Sequence, residues 1–241
     1  MKKIFLFLIL FAASWQLPAI WNGAETDKLL NMMKQATDPF GKASEIKSFE
    51  VQTECRILNV NCRIKVYFKA PDKLRQEISI NDAPPSVRVF DGEKAAEMQS
   101  SGEIEIMEEA DASAMKISAL MSDPAADWKK IFYRFEVADE LEIYENRKYI
   151  AVSGFFHPES NQTPYKFLVD PDTYLVIYMF KTIYESNIPI NSVNHNLEFK
   201  TLNNMVIPTR HKLDFLGLKT EASVASFKVN IPYPDTFFRL Y

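Results

Sequence analysis

Apolar and polar residues alternate with a period of two along most of the chain after about residue 45, which is the pattern of half-buried β-strands. In Lys73–Ile80 the even-numbered positions are mostly apolar, whereas the odd-numbered positions are all charged or polar. The segment Val87–Phe90 leads directly into Asp91-Gly92, a strong signal for a β-hairpin. The first half of the chain is therefore predicted to contain consecutive antiparallel strands.

The second half shows the same alternation in segments separated by turn residues such as Asp170-Pro171. The segment from Tyr174 to Tyr184 differs, because it is apolar on both faces. We expect it to be a central strand with side chains packed on each side. The predicted strands are Phe132–Tyr144, Lys148–Phe156, Tyr165–Val169, Tyr174–Tyr184, Asn194–Leu202, Val206–Leu216 and Glu221–Ile231.

Other stretches have helical periodicity instead. Glu25–Ala36 fits a short amphipathic helix that Pro39 and Gly41 close. Glu108–Met121 contains strong helix formers and gathers its apolar residues on one stripe. Pro124 is expected to open a further short helix through Lys130, because proline suits the first helical turn.

These elements predict an α+β fold dominated by one large antiparallel sheet of about ten or eleven strands. Strongly twisted open sheets rarely stay flat beyond about 10 strands, so this sheet should curl into an unclosed half-barrel. The N-terminal helix and a short helical lid from the middle of the chain should lie against it. A curled sheet with an apolar inner face provides a concave cavity.

The N-terminus has the composition of a secretory signal peptide. The first three residues include two lysines, Ile4–Phe11 is fully apolar, and small residues follow. A membrane anchor is the alternative, but a spanning helix needs about 20 mostly apolar residues, and polar residues interrupt this segment early. We expect residues 1–24 to contain a signal peptide that is cleaved after Ser14, Ala19 or Ala24, which leaves a periplasmic protein.

Residues 25–241 are expected to form a single domain, because all-β sheets and barrels of this length commonly do. The whole chain has a formal charge of −4, and loss of residues 1–24, with two lysines and no acidic residue, makes it −6. An acidic chain without a basic cluster argues against binding to nucleic acid. It also argues against attachment to anionic lipid surfaces by charge.

Cys55 and Cys62 are the only cysteines, and they flank a predicted turn between two strands. In an oxidising compartment we expect a disulfide across this hairpin. Two buried free thiols are the alternative. The spacing is not that of a redox enzyme, and two thiols are too few ligands for a structural zinc site.

Several segments, taken in order, resemble the outer-membrane lipoprotein-sorting proteins of the LolA/LolB-like superfamily. KAPDKLRQEI and VRVFDGEKAAEM look like the family's proline-linked strands and its Asp-Gly hairpin. FLVDPDTYLV, NNMVIPTRHKL and VNIPYPDTFF resemble a later strand turn, an Ile-Pro strand and the C-terminal tail. The resemblance covers about residues 45 to 238.

The resemblance implies an unclosed β-barrel with a helical lid, and a periplasmic carrier that holds a lipid or the acyl chains of lipoproteins. Its partners would be an inner-membrane donor and an outer-membrane acceptor, and it would act as a monomer without a cofactor. Inward-facing strand residues and soft side chains of the lid would bind the ligand. These expected ligand-binding residues are Val66, Phe68, Leu74, Ile78, Val89, Met98, Met115, Leu120 and Met121.

One position departs from the family's pattern. The carriers have a basic residue directly before the proline that joins their strands, and here that residue is Ala70. Arg75 is nearby, but alternation puts it on the opposite face from Leu74. A release mechanism that depends on such a basic residue is therefore not implied for this chain.

The sequence contains no recognisable catalytic motif, and we expect a binding protein rather than an enzyme. Ser44–Lys47 and Ser113–Lys116 match Ser-x-x-Lys but lack its partner motifs. His157, His195 and His211 lie far apart, without the spacing of metal ligands. If the apolar strand faces form only a filled core, the chain would instead be a non-enzymatic interaction or sensor module of the same fold.

Overall fold

A computed structural model describes residues 23–57, 60–81, 83–157, 163–185, 188–215 and 218–241. Residues 1–22 of the expected signal segment lie outside these ranges. Among the described residues no helix is long and apolar enough to cross a bilayer. The helices are α1 (Gly23–Thr37), α2 (Glu109–Ser122) and α3 (Trp128–Ile131), with 3-10 turns at Ala43–Glu45 and Asp235–Phe238.

The described part of the chain also contains fourteen strands. They are β1 (Ser48–Ile57), β2 (Val60–Lys69), β3 (Lys73–Ile80), β4 (Ser86–Phe90), β5 (Ala95–Met98), β6 (Ile104–Ile106), β7 (Arg134–Val137), β8 (Glu142–Tyr144), β9 (Arg147–Phe155), β10 (Tyr165–Val169), β11 (Val176–Glu185), β12 (Ile188–Leu202), β13 (Met205–Phe215) and β14 (Leu218–Val229).

The strands pair in an unclosed antiparallel sheet whose order is β6-β5-β4-β3-β2-β1-β14-β13-β12-β11-β10-β9-β7, and β8 pairs with β9. The first and last strands, β1 and β14, are neighbours in the middle of the sheet. The chain therefore builds one half of the sheet outward from β1, crosses to the far edge with α2 and α3, and returns strand by strand to β14. This is the predicted α+β half-barrel, with more strands than expected.

One face of the first half-sheet packs against α2. Phe68 is directly opposite Leu74, and Leu74 is directly opposite Phe90, so the three side chains share a face. They form one buried cluster with Met115 and Ala119 of α2. The concave side of this half of the sheet is therefore filled by side chains beneath the helix.

The C-terminal tail covers the opposite, convex face of the same strands. The ring of Phe237 packs edge-on against Tyr67, with the ring centroids 5.0 Å apart. The guanidinium of Arg75 lies 4.7 Å from the centroid of Phe237 and forms an ion pair with Glu77. The prediction that Arg75 points away from the face of Leu74 is confirmed.

The predicted strand Phe132–Tyr144 is wrong as a single element. Phe132 is the C-cap of α3, and the remainder divides into β7 and β8 with a bend at Asp139-Glu140. β7 pairs with the end of β9 and β8 with its beginning. Asp139 alone interrupts the alternation, which resumes at Leu141, so periodicity does not distinguish this bend from a single polar position within one strand.

The predicted helix from Pro124 to Lys130 is also wrong in its start. Pro124 lies in a turn, where the backbone N–H of Ala125 donates to the carboxylate of Asp123. α3 begins only at Trp128, and Asp127 caps it by accepting a hydrogen bond from the backbone N–H of Lys129. Asp123 and Asp127 are both suitable N-cap residues, so the sequence alone does not distinguish the two possible starts.

Candidate functional site

A cavity of about 650 Å³ lies between the helices and the second half of the sheet. α1 forms one wall, the end of α2 together with α3 forms another, and strands β10 to β13 form the floor. The volume falls within the range of about 300–1,000 Å³ that small-molecule sites occupy. This cavity is the candidate functional site.

The floor and the inner walls of the cavity are mostly apolar. Three of the lining residues are methionines, one each from α1, α2 and β11. Because methionine is unbranched and polarizable, such a wall adapts to apolar groups of different shape. The principal apolar lining residues are Leu30, Met33, Met121, Trp128, Phe167, Tyr174, Val176, Met179 and Phe199.

An aromatic cluster holds Trp128 against the sheet. The Trp128 ring centroid is 5.0 Å from that of Phe167 and 6.1 Å from that of Phe132. Phe132 is 1% exposed and lies directly over Gly154 of β9. A Cβ atom at position 154 would be 2.7 Å from Cδ1 of Phe132, so the close approach of this ring requires glycine.

Polar side chains surround the cavity at its helical side. Asp27 of α1 and Lys129 of α3 form an ion pair with 2.5 Å between Oδ1 and Nζ. Asn31 and Lys34 of α1 and Asp123 after α2 also line the cavity. Apolar walls with a few polar groups are typical of sites for ligands that have an apolar body and a polar end.

Two asparagines of β12 give the floor a directional hydrogen-bonding group. Nδ2 of Asn196 donates to the backbone carbonyl of Val176 at 2.9 Å, so its Oδ1 faces Asn194 and accepts from Nδ2 of that residue at 3.1 Å. Oδ1 of Asn194 is then buried without a hydrogen-bond partner among the described residues. An unsatisfied buried acceptor costs about 1–3 kcal/mol, so a donor from a ligand would be favourable here.

Most of the residues predicted to bind a ligand lie elsewhere on the concave side. Phe68 and Leu74 are completely buried beneath α2, where they pack with Met115 of that helix, and Val66 packs against this cluster. Ile78 packs further along the strands, beside the two cysteines. Leu120 is partly buried on α2. The structure shows these residues as core or wall, and their part in ligand binding stays a prediction.

Val89 and Met98 lie on the convex side, contrary to the expectation that they would line the concave cavity. Val89 is directly opposite Arg75, which faces the C-terminal tail. Met98 is directly opposite Val87. Val87, Val89 and Met98 pack in one cluster with Leu240 of the tail. The C-terminal tail explains the error, because it buries apolar side chains on the face that Arg75 and Glu77 of β3 mark as exposed.

Among the predicted ligand-binding residues, which are all described, Met121 is the one that lines the cavity. The contributions of α1, Trp128, Val176 and Met179 were not predicted. One signal could have found two of them, because the segment Tyr174–Tyr184 is apolar on both faces and must pack against something on each side.

The two cysteines lie directly opposite each other on β1 and β2. Both are buried, and the structure has them as free thiols. Burial, together with a hydrogen bond and charge repulsion from Cys62, raises the pKa of the Cys55 thiol to about 12. The hairpin position agrees with the predicted turn, and the disulfide stays a prediction for the oxidised protein.

No model of a protein family matches the sequence, and no characterised protein matches it significantly. Solved structures do resemble it. A LolA superfamily protein from Nitrosomonas europaea has a TM-score of 0.58 at 12% identity, over 88% of this chain and 96% of that one. An outer membrane lipoprotein-sorting protein domain from Vibrio parahaemolyticus has a TM-score of 0.55 at 10% identity, over 88% of this chain and 94% of that one.

A DUF1329 family protein from Desulfovibrio piger also matches, with a TM-score of 0.57 at 7% identity over 89% of this chain and 97% of that one. Such low identities leave the fold as the shared property. The matches extend over 88–89% of this chain and 94–97% of each solved structure. The chain has a LolA-like fold.

Proposed function

We propose that this protein is a carrier that shelters the apolar part of a lipid, or the acyl chains of a lipoprotein, in the cavity between α1, α3 and strands β10 to β13. The observation that carries the proposal is the cavity itself, with an apolar floor, three methionines and a polar helical side. Each CH₂ group removed from water contributes about 0.8 kcal/mol, so a few carbons of a chain suffice for useful affinity.

The distribution of packing supports this location for the ligand. Under α2 the concave face is filled by Phe68, Leu74 and Phe90, whereas beside α1 it encloses about 650 Å³. A ligand therefore enters most easily between α1 and α3, where one ion pair joins the two helices. Movement of α2 would instead expose a well-packed core, which is costly.

We place the carrier in the periplasm, between an inner-membrane donor and an outer-membrane acceptor. The predicted signal peptide supports export, and the likeness to a lipoprotein-sorting domain supports the type of cargo. Release needs a partner that favours the open arrangement of α1 and α3, since only a partner that binds the two arrangements differently shifts their populations. Binding without chemical conversion is the proposed activity.

Native mass spectrometry of the protein purified from its own cell envelope, followed by lipid extraction, tests the proposal. We expect a bound mass that denaturation releases and that extraction identifies as a lipid or an acylated peptide. A clean apoprotein mass, with no uptake of added lipid, would contradict the carrier. It would favour a non-enzymatic interaction module, which the filled half of the concave face would also suit.

A further inference from the structure

A row of polar residues runs along the concave face of β12. Asn194 and Asn196 line the cavity, and Asn194 is directly opposite Met179, which also lines it. Ser192 lies two residues before Asn194 and shares its face, because side chains in a strand alternate. On the convex face of the same strand, Val193 packs against the cluster of Tyr149 and Tyr178.

A lysine stands at one end of this row. Lys181 of β11 is directly opposite Ser192 and lies two residues after Met179, so it faces the concave side. Its side chain keeps some contact with solvent, yet desolvation by the surrounding protein lowers the pKa of its ammonium. Within the described residues, this ammonium has neither an ion-pair partner nor a hydrogen-bond acceptor.

The lysines on the convex side are different. Lys166 pairs with Glu142 at 2.6 Å, and Lys212 pairs with Glu221 at 3.3 Å. A desolvated cation without a counter-ion is unfavourable, and its usual compensation is an anion or a set of acceptors. Lys181 therefore has the environment of a residue whose counter-ion comes from a ligand.

The other end of the row is also incomplete. His211 of β13 is directly opposite Asn196, and its Nδ1 atom is buried without a hydrogen-bond partner among the described residues. Desolvation lowers the pKa of this imidazole, which favours its neutral form. We call Lys181, Ser192, Asn194, Asn196 and His211 the polar strip. It spans about 14 Å along β12, at about 3.4 Å per residue.

We propose that the polar strip binds the headgroup of an amphiphile, with an oxyanion (carboxylate or phosphate) at Lys181 and Ser192 and a hydrogen-bond donor of the ligand at Oδ1 of Asn194. This inference rests on the proposed carrier function, because the apolar chain of the same ligand occupies the cavity. Met179 lies between Lys181 and the rest of the cavity floor, so headgroup and chain are continuous. The ammonium and the hydroxyl donate to the oxyanion, and the asparagine oxygen accepts.

Trp128 provides a direct readout of ligand position. It lines the cavity and is the only tryptophan after residue 22. Bromine atoms on an alkyl chain quench tryptophan fluorescence on contact. We would titrate the purified exported protein, with Trp15 or Trp21 replaced by phenylalanine where cleavage leaves them, using a brominated fatty acid, the alkyl phosphate of the same chain, and the uncharged alcohol of the same chain.

Matched variants separate the headgroup from the chain. Lys181→Met removes the charge and keeps the length of the side chain, and Lys181→Arg restores the charge. Asn194→Leu removes the unpaired acceptor. Lys212→Met changes the net charge equally but lies on the convex face of β13, opposite His195. Circular dichroism before each titration checks that the variants are folded.

We expect the acid and the phosphate to quench Trp128 at concentrations at least about tenfold lower than the alcohol, the effect of one or two charge-assisted hydrogen bonds. Lys181→Met should abolish this preference without weakening the binding of the alcohol. Lys181→Arg and Lys212→Met should retain the preference. Equal quenching by all three ligands in the wild type, or an unchanged preference in Lys181→Met, would overturn the headgroup site. Neither result would contradict the proposed carrier function. Absence of quenching by every ligand would overturn the carrier, and the headgroup site with it.

Discussion

Nζ of Lys129 lies 2.5 Å from Oδ1 of Asp27, and this ion pair joins α3 to α1 beside the cavity. Both side chains are about half exposed, so the pair contributes less than about 1 kcal/mol to stability. We predict that Asp27→Asn and Lys129→Met leave the melting temperature almost unchanged but accelerate ligand release several-fold. Stopped-flow exchange of a bound brominated chain, followed by Trp128 fluorescence, measures this rate.

Glu221→Gln is the control, because it breaks an ion pair of similar exposure with Lys212 at 3.3 Å on the convex face. Added salt should accelerate release in the wild type and not in Asp27→Asn, since exposed ion pairs are screened. Equal release rates in the wild type, Asp27→Asn and Lys129→Met would mean that the ligand leaves by another path.

Gly154→Ala is predicted to destabilise the protein by about 1–3 kcal/mol, because the new methyl group would overlap the Phe132 ring. The displaced ring supports Trp128, so retention of ligand should also fall. Urea unfolding measures the first effect and Trp128 fluorescence the second. Gly23→Ala, where a Cβ meets nothing within 4 Å, should change stability by less than about 0.5 kcal/mol. A neutral Gly154→Ala would mean that Phe132 can move without cost.

Oxidation is predicted to join Cys55 and Cys62, which face each other directly across β1 and β2. A non-reducing peptide map of protein from the periplasm should contain the linked pair, and reduction should lower stability by about 2–3 kcal/mol. In the reduced, folded protein the thiols should alkylate slowly at pH 8, because burial raises the pKa of Cys55 to about 12. Two free thiols in the periplasmic protein would refute the disulfide.

Alkaline pH is predicted to weaken the attachment of the C-terminal tail. Tyr67 donates to Glu77 at 3.2 Å, and Tyr233 donates to Glu50 at 3.1 Å. Desolvation, together with these carboxylates, raises the pKa of both phenols above their ordinary value. The unfolded chain therefore loses these protons first, so their contribution is fully present below about pH 10 and is lost as pH rises further.

Urea unfolding at pH 8 and at pH 10.5 measures this loss. Tyr67→Phe should reduce the difference between the two pH values, because the substituted ring cannot ionise. A difference that stays the same in Tyr67→Phe would assign the alkaline transition to other groups, such as Tyr165, whose pKa burial raises to about 12.

Much of the fold follows from local pattern. α2 occupies Glu109–Ser122, close to the predicted Glu108–Met121, and the hairpin at Asp91-Gly92 joins β4 to β5 as expected. The backbone N–H groups of Glu93 and Lys94 both donate to the Asp91 carboxylate there, which explains why this dipeptide is a reliable signal. The face shared by Phe68 and Leu74 was also predicted, because alternation is local.

The candidate site was less predictable because distant segments form it. The cavity forms because α1 lies against β13 and Trp128 lies against β10. Local periodicity predicts neither contact. The side of β4 that faces inward was equally ambiguous, since both Val89 and Phe90 are apolar. Only the tail residue Leu240, far along the chain, explains why Val89 is buried on the convex face.

Neighbouring residues of β11 offer the most direct test of the carrier, because Met179 faces the cavity and Phe180 packs on the convex side, 5.5 Å from the ring of Tyr144. Met179→Trp fills the cavity, whereas Phe180→Trp adds the same side chain outside it. Native mass spectrometry would compare the lipid-bound fraction of the two variants after purification from the same envelope. We expect Met179→Trp to lose the bound lipid and Phe180→Trp to keep the wild-type fraction. Equal fractions in both variants would contradict the assignment of this cavity as the lipid-binding site.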